Sequence, residues 1–203
     1  MHVLGSGSPF VVFSLPRSRS AWASLFLSYG GAFVGHDIAI DCGRPEDFIE
    51  QITGKFAGTC ETGAMVGWRL IRRYLPTCKF AVIRRRRADV VASLGRFGLT
   101  GFEDEMERRD ALLDEITALP GTLSLTFSDM ETSTACAMLF EFCLERPFDP
   151  RWWLHLSQMN VQVDMRKTLQ RLYDNHNRIE ILKTEVGLRQ ANFVGGGECR
   201  KSA

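Results

Sequence analysis

The stretch FVVFSLPRSRSAWASLFLSYG, residues 10–30, predicts a β-strand that passes through a short basic turn into an α-helix. The near-continuous apolar run Phe10–Leu15 is typical of a strand that a parallel sheet buries on both faces. After the turn, apolar residues recur at helical spacing, with Ser20 as the predicted N-cap. These residues are Trp22, Leu25, Phe26 and Tyr29. The turn therefore places a helix N-terminus at the carboxyl edge of a sheet, where unpaired N–H groups attract anions.

The composition is that of an ordinary globular protein. At 203 residues the chain suits one α/β domain, which we expect to span residues 1–193, with a flexible glycine-rich tail at 194–203. Hydrophobic residues make up 45%, charged residues 24%, and the formal net charge is +1. This balance lacks the basic surplus of a general nucleic-acid binder, so no nucleic-acid partner is predicted. Anion binding must come from local clusters.

Neither the cysteines nor the hydropathy pattern points to export, metal binding or a membrane. The six cysteines form no CxxC pair and no cluster with histidine at metal-ligand spacing, so we expect reduced thiols and no metal site. No leader sequence and no apolar run long enough to span a bilayer is present. The sequence predicts a cytoplasmic protein without a membrane partner and leaves its oligomeric state open.

Strand and helix patterns alternate along the chain, which predicts a three-layer α/β sandwich around a central, mostly parallel, five-stranded sheet. The predicted strands are Phe10–Ser14, Ala32–Gly35, Phe56–Thr59, Phe80–Arg84 and Leu123–Phe127. The clearest predicted helices are Ala64–Tyr74, Ala88–Phe97, Glu103–Leu119, Met130–Leu144 and Val163–Tyr173. From about residue 145 the strand pattern stops and a helical C-terminal region is expected.

A second basic turn follows another predicted strand. Four consecutive arginines, Arg84–Arg87, lie between apolar Ile83 and the helix that contains Val90. Such runs are often solvated faces or targeting signals, but a position between two buried elements is unsuited to a flexible signal. We therefore interpret the run as a second anion-binding turn.

In an open parallel sheet, ligands lie outside the carboxyl ends of the strands. If the predicted strands are right, that edge combines anion-binding groups with candidate bases. The residues concerned are Arg17, His36, Asp37, Glu61, Arg85 and Asp129.

The first turn does not match G-x-x-x-x-G-K-[ST], so an ordinary ATP or GTP site is disfavoured. It resembles the first cofactor loop of the sulfotransferases, whose motif is approximately Pro-[Lys/Arg]-Ser-Gly-[Ser/Thr]-[Ser/Thr]-Trp/Leu. Two positions depart from that motif, because Arg19 replaces the glycine and Ala21 replaces a hydroxyl residue. The matching residues are Pro16, Arg17, Ser18, Ser20 and Trp22.

The second turn is similar to the second motif of the same family, Arg-x-[Pro]-x-Asp-x-x-x-Ser. Arg85, Asp89 and Ser93 match it, and Arg87 stands where proline is usual. Two weaker segments, Glu61–Gly63 and Leu125–Met130, follow the family's order, so that the resemblance covers about residues 11–145.

The resemblance implies a P-loop NTPase-like fold and a sulfotransferase. Its donor would be 3′-phosphoadenosine-5′-phosphosulfate (PAPS), and its acceptor a hydroxyl or amine of a small molecule or glycan. The loop Pro16–Trp22 would hold the 5′-phosphosulfate through its backbone and its serine hydroxyls, and Arg85 and Ser93 would hold the 3′-phosphate. Arg17 takes the position of the catalytic basic residue, and Arg200 with Lys201 resembles a late phosphate contact.

For the general base, the resemblance favours the pair His36 and Asp37 at the end of the second strand, with Glu61 as the next candidate. Two other functions stay open. One is a P-loop-fold small-molecule kinase, which would need Mg²⁺ on Asp129 or Glu61. The other is a nucleotide-binding or interaction protein that has lost its chemistry through the departures at Arg19, Ala21 and Arg87.

Overall fold

The computed structural model describes residues 7–159 and 161. All of them belong to the first of two units, which are divided after residue 162. The five strands are β1 (Phe10–Ser14), β2 (Val34–His36), β3 (Gly58–Glu61), β4 (Lys79–Arg84) and β5 (Leu123–Thr126). The helices are α1 (Ser20–Leu27), α2 (Pro45–Gly54), α3 (Trp68–Tyr74), α4 (Arg87–Gly95), α5 (Glu103–Thr117), α6 (Ser133–Leu144) and α7 (Pro150–Ser157). Three 3₁₀ turns span Ile38–Asp41, Ala64–Gly67 and Asp129–Glu131.

The strands form one sheet in the order β2-β3-β1-β4-β5, with every neighbouring pair parallel. β1 lies at the centre, where Val12 pairs with Cys60 on one side and Ala81 on the other. This confirms the predicted five-stranded parallel sheet. All five residues of β1 are buried, as a near-continuous apolar strand requires.

Two hydrophobic layers cover the faces of the sheet. Because successive strand residues point to opposite faces, Phe10 and Val12 pack in the layer that contains Phe26 of α1 and Phe140 of α6. Val11 and Phe13 pack in the other layer. That layer includes Ile52 of α2, Ile71 of α3, Val90 of α4 and Leu113 of α5. Helices on both faces confirm the three-layer α/β sandwich.

The bounds of β4 and β5 differ from the prediction by one residue, whereas β2 and β3 each begin two residues later than expected. The segments before them approach each other, with Ala57 N donating to Phe33 O at 2.8 Å, but they stay outside the sheet. At the first position of β3, the chain passes so close to β1 that a Cβ on Gly58 would lie 2.6 Å from Phe10 O. Only glycine fits there.

Several helix predictions also need correction. Ser20 is the first residue of α1, and Arg19 is its N-cap. The predicted helices at 64–74 and 130–144 are each a 3₁₀ turn followed by a shorter α-helix. α2 was missed, because it is short and mostly polar; Pro45 at its first position and the bond from Arg44 N to Asp47 Oδ2 (3.0 Å) define its start.

The predicted helix at 163–173, the tail at 194–203 and the segment with Arg200 and Lys201 lie outside the described residues. α7 provides the helical region expected after residue 145 as far as the description reaches. Within residues 7–159 and 161, no helix combines the length and apolar character that crossing a bilayer demands.

Candidate functional site

The loop between β1 and α1, residues 15–19, has an unusual backbone. Arg17 and Arg19 both adopt left-handed conformations, with φ of 64° and 66°, and Ser18 between them is fully buried. A left-handed conformation costs a non-glycine residue about 1–2 kcal/mol. Arg19 therefore adopts, at the position where the sulfotransferase motif has glycine, the conformation that glycine adopts without strain.

The first turn of α1 presents open hydrogen-bond donors to the loop. The first intrahelical bond runs from Ala23 N to Arg19 O at 2.8 Å, so the N–H groups of Ser20–Trp22 have no acceptor within the helix. No side chain caps this end of the helix. These donors and the positive end of the helix dipole favour an anion here.

Contacts of Arg17 and Arg85 join the two basic turns. Arg85 Nη1 donates a hydrogen bond to the carbonyl oxygen of Arg17. Arg17 Nε donates to Ser93 Oγ at 3.3 Å, and Ser93 is buried on α4. The structure thus brings Arg17 together with Arg85 and Ser93, the two residues that the second motif contributes.

Acidic residues engage the other arginines of the run Arg84–Arg87. Arg84 pairs with Asp110 (3.1 Å) and Asp114 (2.8 Å) of α5. Arg86 makes a two-pronged pair with Asp89 at 2.9 Å, and Arg87, the first residue of α4, lies 3.2 Å from Glu107. Within the described part of the chain, Arg85 has no carboxylate at ion-pair distance. The run therefore leaves one guanidinium without a counter-charge at the loop.

The surroundings of Arg85 are electropositive. Burial lowers the pKa of Arg85 below its usual range, and repulsion from Arg17, Arg96 and Arg19 acts in the same direction, while Asp89 opposes them. An arginine nevertheless stays protonated at neutral pH. A bound anion would relieve this repulsion.

Two phenylalanines support the arginines, and sequence reasoning did not find them as site residues. The guanidinium carbons of Arg85 and Arg19 lie over the ring of Phe127, 4.3 and 4.6 Å from its centroid, and Arg17 lies 4.5 Å from that of Phe97. Cation–π contacts of this kind hold a guanidinium in place without neutralising it. The sequence signal was their position, because Phe97 follows the second motif and Phe127 lies within the weaker segment Leu125–Met130.

The resemblance assigns Arg19 to donor binding, but other residues of the protein already engage its side chain. Its guanidinium donates to Met130 O at 3.0 Å and to Glu131 Oε1 at 2.7 Å. Of the other loop residues, Ser18 Oγ lies 3.5 Å from Pro16 O. The indole of Trp22 packs in the core, stacked on Phe26 and donating to Leu156 O at 3.1 Å. Only the backbone of Trp22 faces the loop.

The predicted base pair lies beside the same loop. His36 Nε2 is 3.0 Å from Ser20 Oγ and 3.5 Å from Asp37 Oδ2. In a serine–histidine–acid relay, the acid holds the nitrogen opposite the one that faces the serine. Here both contacts are on one nitrogen, so the arrangement differs from a hydrolase relay. It does place an imidazole within hydrogen-bond distance of the first turn of α1.

Reciprocal hydrogen bonds connect the ends of β2 and β3. Asp37 Oδ1 accepts from the backbone N–H (2.6 Å) and hydroxyl (2.9 Å) of Thr62. In return, Glu61 Oε1 accepts from Ile38 N (2.9 Å) and from Thr59 Oγ1 (2.6 Å). Asp37 has φ of 49°, and these bonds hold it in that left-handed conformation. We call this arrangement the β2–β3 clasp.

Glu61 is fully buried in the clasp, and its Oε2 atom has no partner within the described part of the chain. Burial raises the pKa of Glu61 to about 8, with Asp37 adding repulsion and the hydrogen bond from Thr59 opposing the shift. At neutral pH the carboxyl group is mostly protonated. Glu61 is a weaker candidate base than its position suggests, because it is shielded from solvent and its Oε1 atom is engaged by Ile38 and Thr59.

Comparisons with known proteins bear on the fold. No protein-family model and no curated protein matches the chain. The crystal structure of a sulfotransferase from Alicyclobacillus acidocaldarius is similar, with 10% sequence identity, a TM-score of 0.52, and coverage of 87% of this chain and 96% of that chain. The chain has the P-loop type of α/β fold. A gluconokinase from Sinorhizobium meliloti 1021 also matches, at 10% identity and a TM-score of 0.46, over 74% of this chain and 94% of that one.

Because the backbone at Arg19 is left-handed, we expect glycine to be more stabilising than alanine at this position, the reverse of the usual order in a helix. Arg19→Gly should be more stable than Arg19→Ala by about 1 kcal/mol, because only glycine adopts the left-handed conformation without strain. Urea unfolding measures the difference. At Arg108, inside α5, the usual order should hold, with glycine about 1 kcal/mol less stable than alanine. The same order at both sites would contradict the conformation found at Arg19.

The buried carboxyl of Glu61 predicts a pH-dependent stability. Its pKa is about 8 in the folded chain, against 4.5 for an unperturbed glutamate side chain, so between these pH values the folded state binds more protons than the unfolded state. The free energy of unfolding should therefore fall as pH rises through this window, by up to about 1.4 kcal/mol per pH unit. Urea titrations at pH 5 to 8 should show a flatter dependence for Glu61→Gln. Glu103→Gln, an exposed control, should keep the wild-type slope.

Proposed function

We propose that this protein is a sulfotransferase that uses PAPS as donor. The observation that carries the proposal is the junction of Arg17, Arg85 and Ser93 beside an open helix N-terminus, where Arg85 has no carboxylate at ion-pair distance among the described residues. Two separate anion sites at one sheet edge suit a nucleotide with phosphate groups on two different ribose positions.

The roles of the loop follow from its geometry. The N–H groups of Ser20–Trp22 and the hydroxyls of Ser18 and Ser20 would bind the 5′-phosphosulfate. Arg85 and Ser93 would bind the 3′-phosphate, since a planar guanidinium forms paired hydrogen bonds with phosphate oxygens. Arg17 lies between the two positions, where its fixed charge stabilises the leaving phosphate oxygen without donating a proton.

The base would be His36 or Asp37. The donor supplies an activated sulfuryl group, so the protein must align the acceptor and take its proton. His36 lies against Ser20 of the loop, and the β2–β3 clasp fixes Asp37 beside it. Glu61 is third, because it is fully buried and its Oε1 atom accepts from Ile38 and Thr59.

Ligand-induced stabilisation tests the donor class. Adenosine 3′,5′-bisphosphate, the desulfated product, should raise the melting temperature, whereas ATP, ADP and adenosine 5′-monophosphate should do so much less. Arg85→Ala should weaken binding of the 3′,5′-bisphosphate by about 2–4 kcal/mol, the range for losing a partly buried charge partner. Arg86→Ala is the matched control, since Arg86 belongs to the same arginine run but is exposed and pairs with Asp89.

Each result has a defined meaning. Equal affinity of Arg85→Ala and the wild type would refute the assignment of Arg85 to the 3′-phosphate. A thermal shift with ATP alone would support the kinase. No shift with any nucleotide would contradict both enzymes and favour a protein that has kept the fold without nucleotide binding.

Turnover with labelled donor tests the roles in catalysis. Arg17→Ala should lower kcat by a larger factor than it lowers affinity for the 3′,5′-bisphosphate, because its charge acts on the leaving oxygen. His36→Gln should likewise lower kcat and keep product affinity. If both variants turned over at the wild-type rate with an acceptor in hand, neither residue would have the proposed role.

A further inference from the structure

A cavity of about 240 Å³ lies beside the β2–β3 clasp. Its walls come from two pairs of elements, each a 3₁₀ turn and a helix. The first is the turn Ile38–Asp41 with α2, and the second is the turn Ala64–Gly67 with α3. None of the motifs recognised in the sequence uses this cavity.

The lining is apolar, and its polar groups are already engaged. The Cys42 thiol donates to Ile38 O (3.3 Å) and accepts from Gln51 Nε2 (3.2 Å). At the mouth, the Tyr74 hydroxyl donates to Glu46 Oε1 at 3.1 Å. Arg44 pairs with Asp47 at 2.9 Å. A sugar needs donors and acceptors at its hydroxyl groups, and this lining offers it few.

The rim is apolar as well. Val66, Leu70 and Tyr74 line the cavity and are 68%, 43% and 48% exposed. Exposed apolar side chains are ordinary when scattered, but these three surround one opening. The cavity is thus open to an apolar molecule from solvent.

The cavity adjoins the candidate base. Ala39 lies two residues after Asp37, and Ala64 lies two residues after Thr62, which holds the Asp37 carboxylate. Two chain steps keep their Cα atoms within about 7 Å of those residues. The backbone N–H of Ile38, which lies between Asp37 and the lining residue Ala39, donates to Glu61 Oε1 and holds this part of the chain in place. One end of the cavity is therefore near Asp37.

We propose that this cavity binds the apolar body of the acceptor, a hydroxylated aromatic molecule of one or two rings, with its hydroxyl directed toward Asp37 and His36. The identification as acceptor rests on the proposed sulfotransferase function. The size fits, because a cavity of about 150 Å³ holds benzene. The alternative of a glycan acceptor lacks polar partners here.

In the transfer step, the sulfuryl group moves from the donor to the acceptor oxygen. The acceptor hydroxyl gives its proton to His36 or Asp37 while its oxygen forms a bond to sulfur. The bond between sulfur and the bridging phosphate oxygen breaks, and its electron pair stays on that oxygen beside Arg17. The products are an aryl sulfate and adenosine 3′,5′-bisphosphate.

A glycine in the wall allows the cavity to be filled. Gly67 lines it with φ of −102°, and an added Cβ meets no atom within 4 Å. Gly67→Leu should therefore occupy the cavity without backbone strain. Gly54→Leu is the matched control, because Gly54 ends α2 outside the lining and also has open space around it. Ala64→Leu fills the same cavity from a second position if Gly67→Leu fails to fold.

The probe is 2-naphthol, measured by titration calorimetry, with adenosine 3′,5′-bisphosphate titrated separately. The wild type and Gly54→Leu should bind 2-naphthol saturably, and Gly67→Leu should lose affinity by about tenfold or more. All three should bind the nucleotide equally.

Other results separate the two proposals. Three results would overturn the aromatic acceptor site. The first is that the wild type does not bind 2-naphthol saturably, and the second is that both cavity-filling variants bind it as tightly as the wild type. The third is transfer of labelled sulfate to a monosaccharide but not to 2-naphthol. Loss of 2-naphthol binding in Gly67→Leu without nucleotide binding by any form would support the aromatic site and refute the sulfotransferase.

Discussion

The hydrogen bond from Arg85 to the backbone carbonyl of Arg17 connects the two halves of the candidate site. β1 and β4 are neighbours in the sheet, paired up to Ser14 and Ile83, so the turns that follow them emerge side by side. The bond uses this proximity to fix one basic turn against the other. The open helix N-terminus and the unneutralised guanidinium then lie at one edge of the sheet, as binding an elongated, doubly charged nucleotide would require.

Such a concentration of positive charge opposes folding, and the surrounding residues compensate for it unevenly. Carboxylates on α5 pair with Arg84, and Glu131 pairs with Arg19, while aromatic rings contact Arg17, Arg19 and Arg85. A ring orders a guanidinium without neutralising it. Among the described residues, Arg85 combines a ring contact with no carboxylate at ion-pair distance, which suits it to bind an anion.

On the other side of β1, the β2–β3 clasp adds acidic groups to a site whose two turns are basic. Asp37 and Glu61 each accept hydrogen bonds from the neighbouring strand end, and burial keeps Glu61 largely uncharged at neutral pH. A neutral acid there avoids placing two buried negative charges side by side. The clasp thereby holds Asp37 beside His36, two residues before Ala39, which lines the adjoining apolar cavity.

The sequence by itself determined the sheet strands, their parallel arrangement and both basic turns, because buried strands and amphipathic helices leave local periodic patterns. It also placed Arg17, Arg85, His36 and Asp37 at one sheet edge, while Ser93 came from the resemblance. Only the tertiary structure decided the strand order, the stacking of Phe97 and Phe127 on arginines, the protonated state of Glu61 and the cavity beside α3. Each of these depends on contacts between residues far apart in the chain or on burial, and neither leaves a local pattern in the sequence.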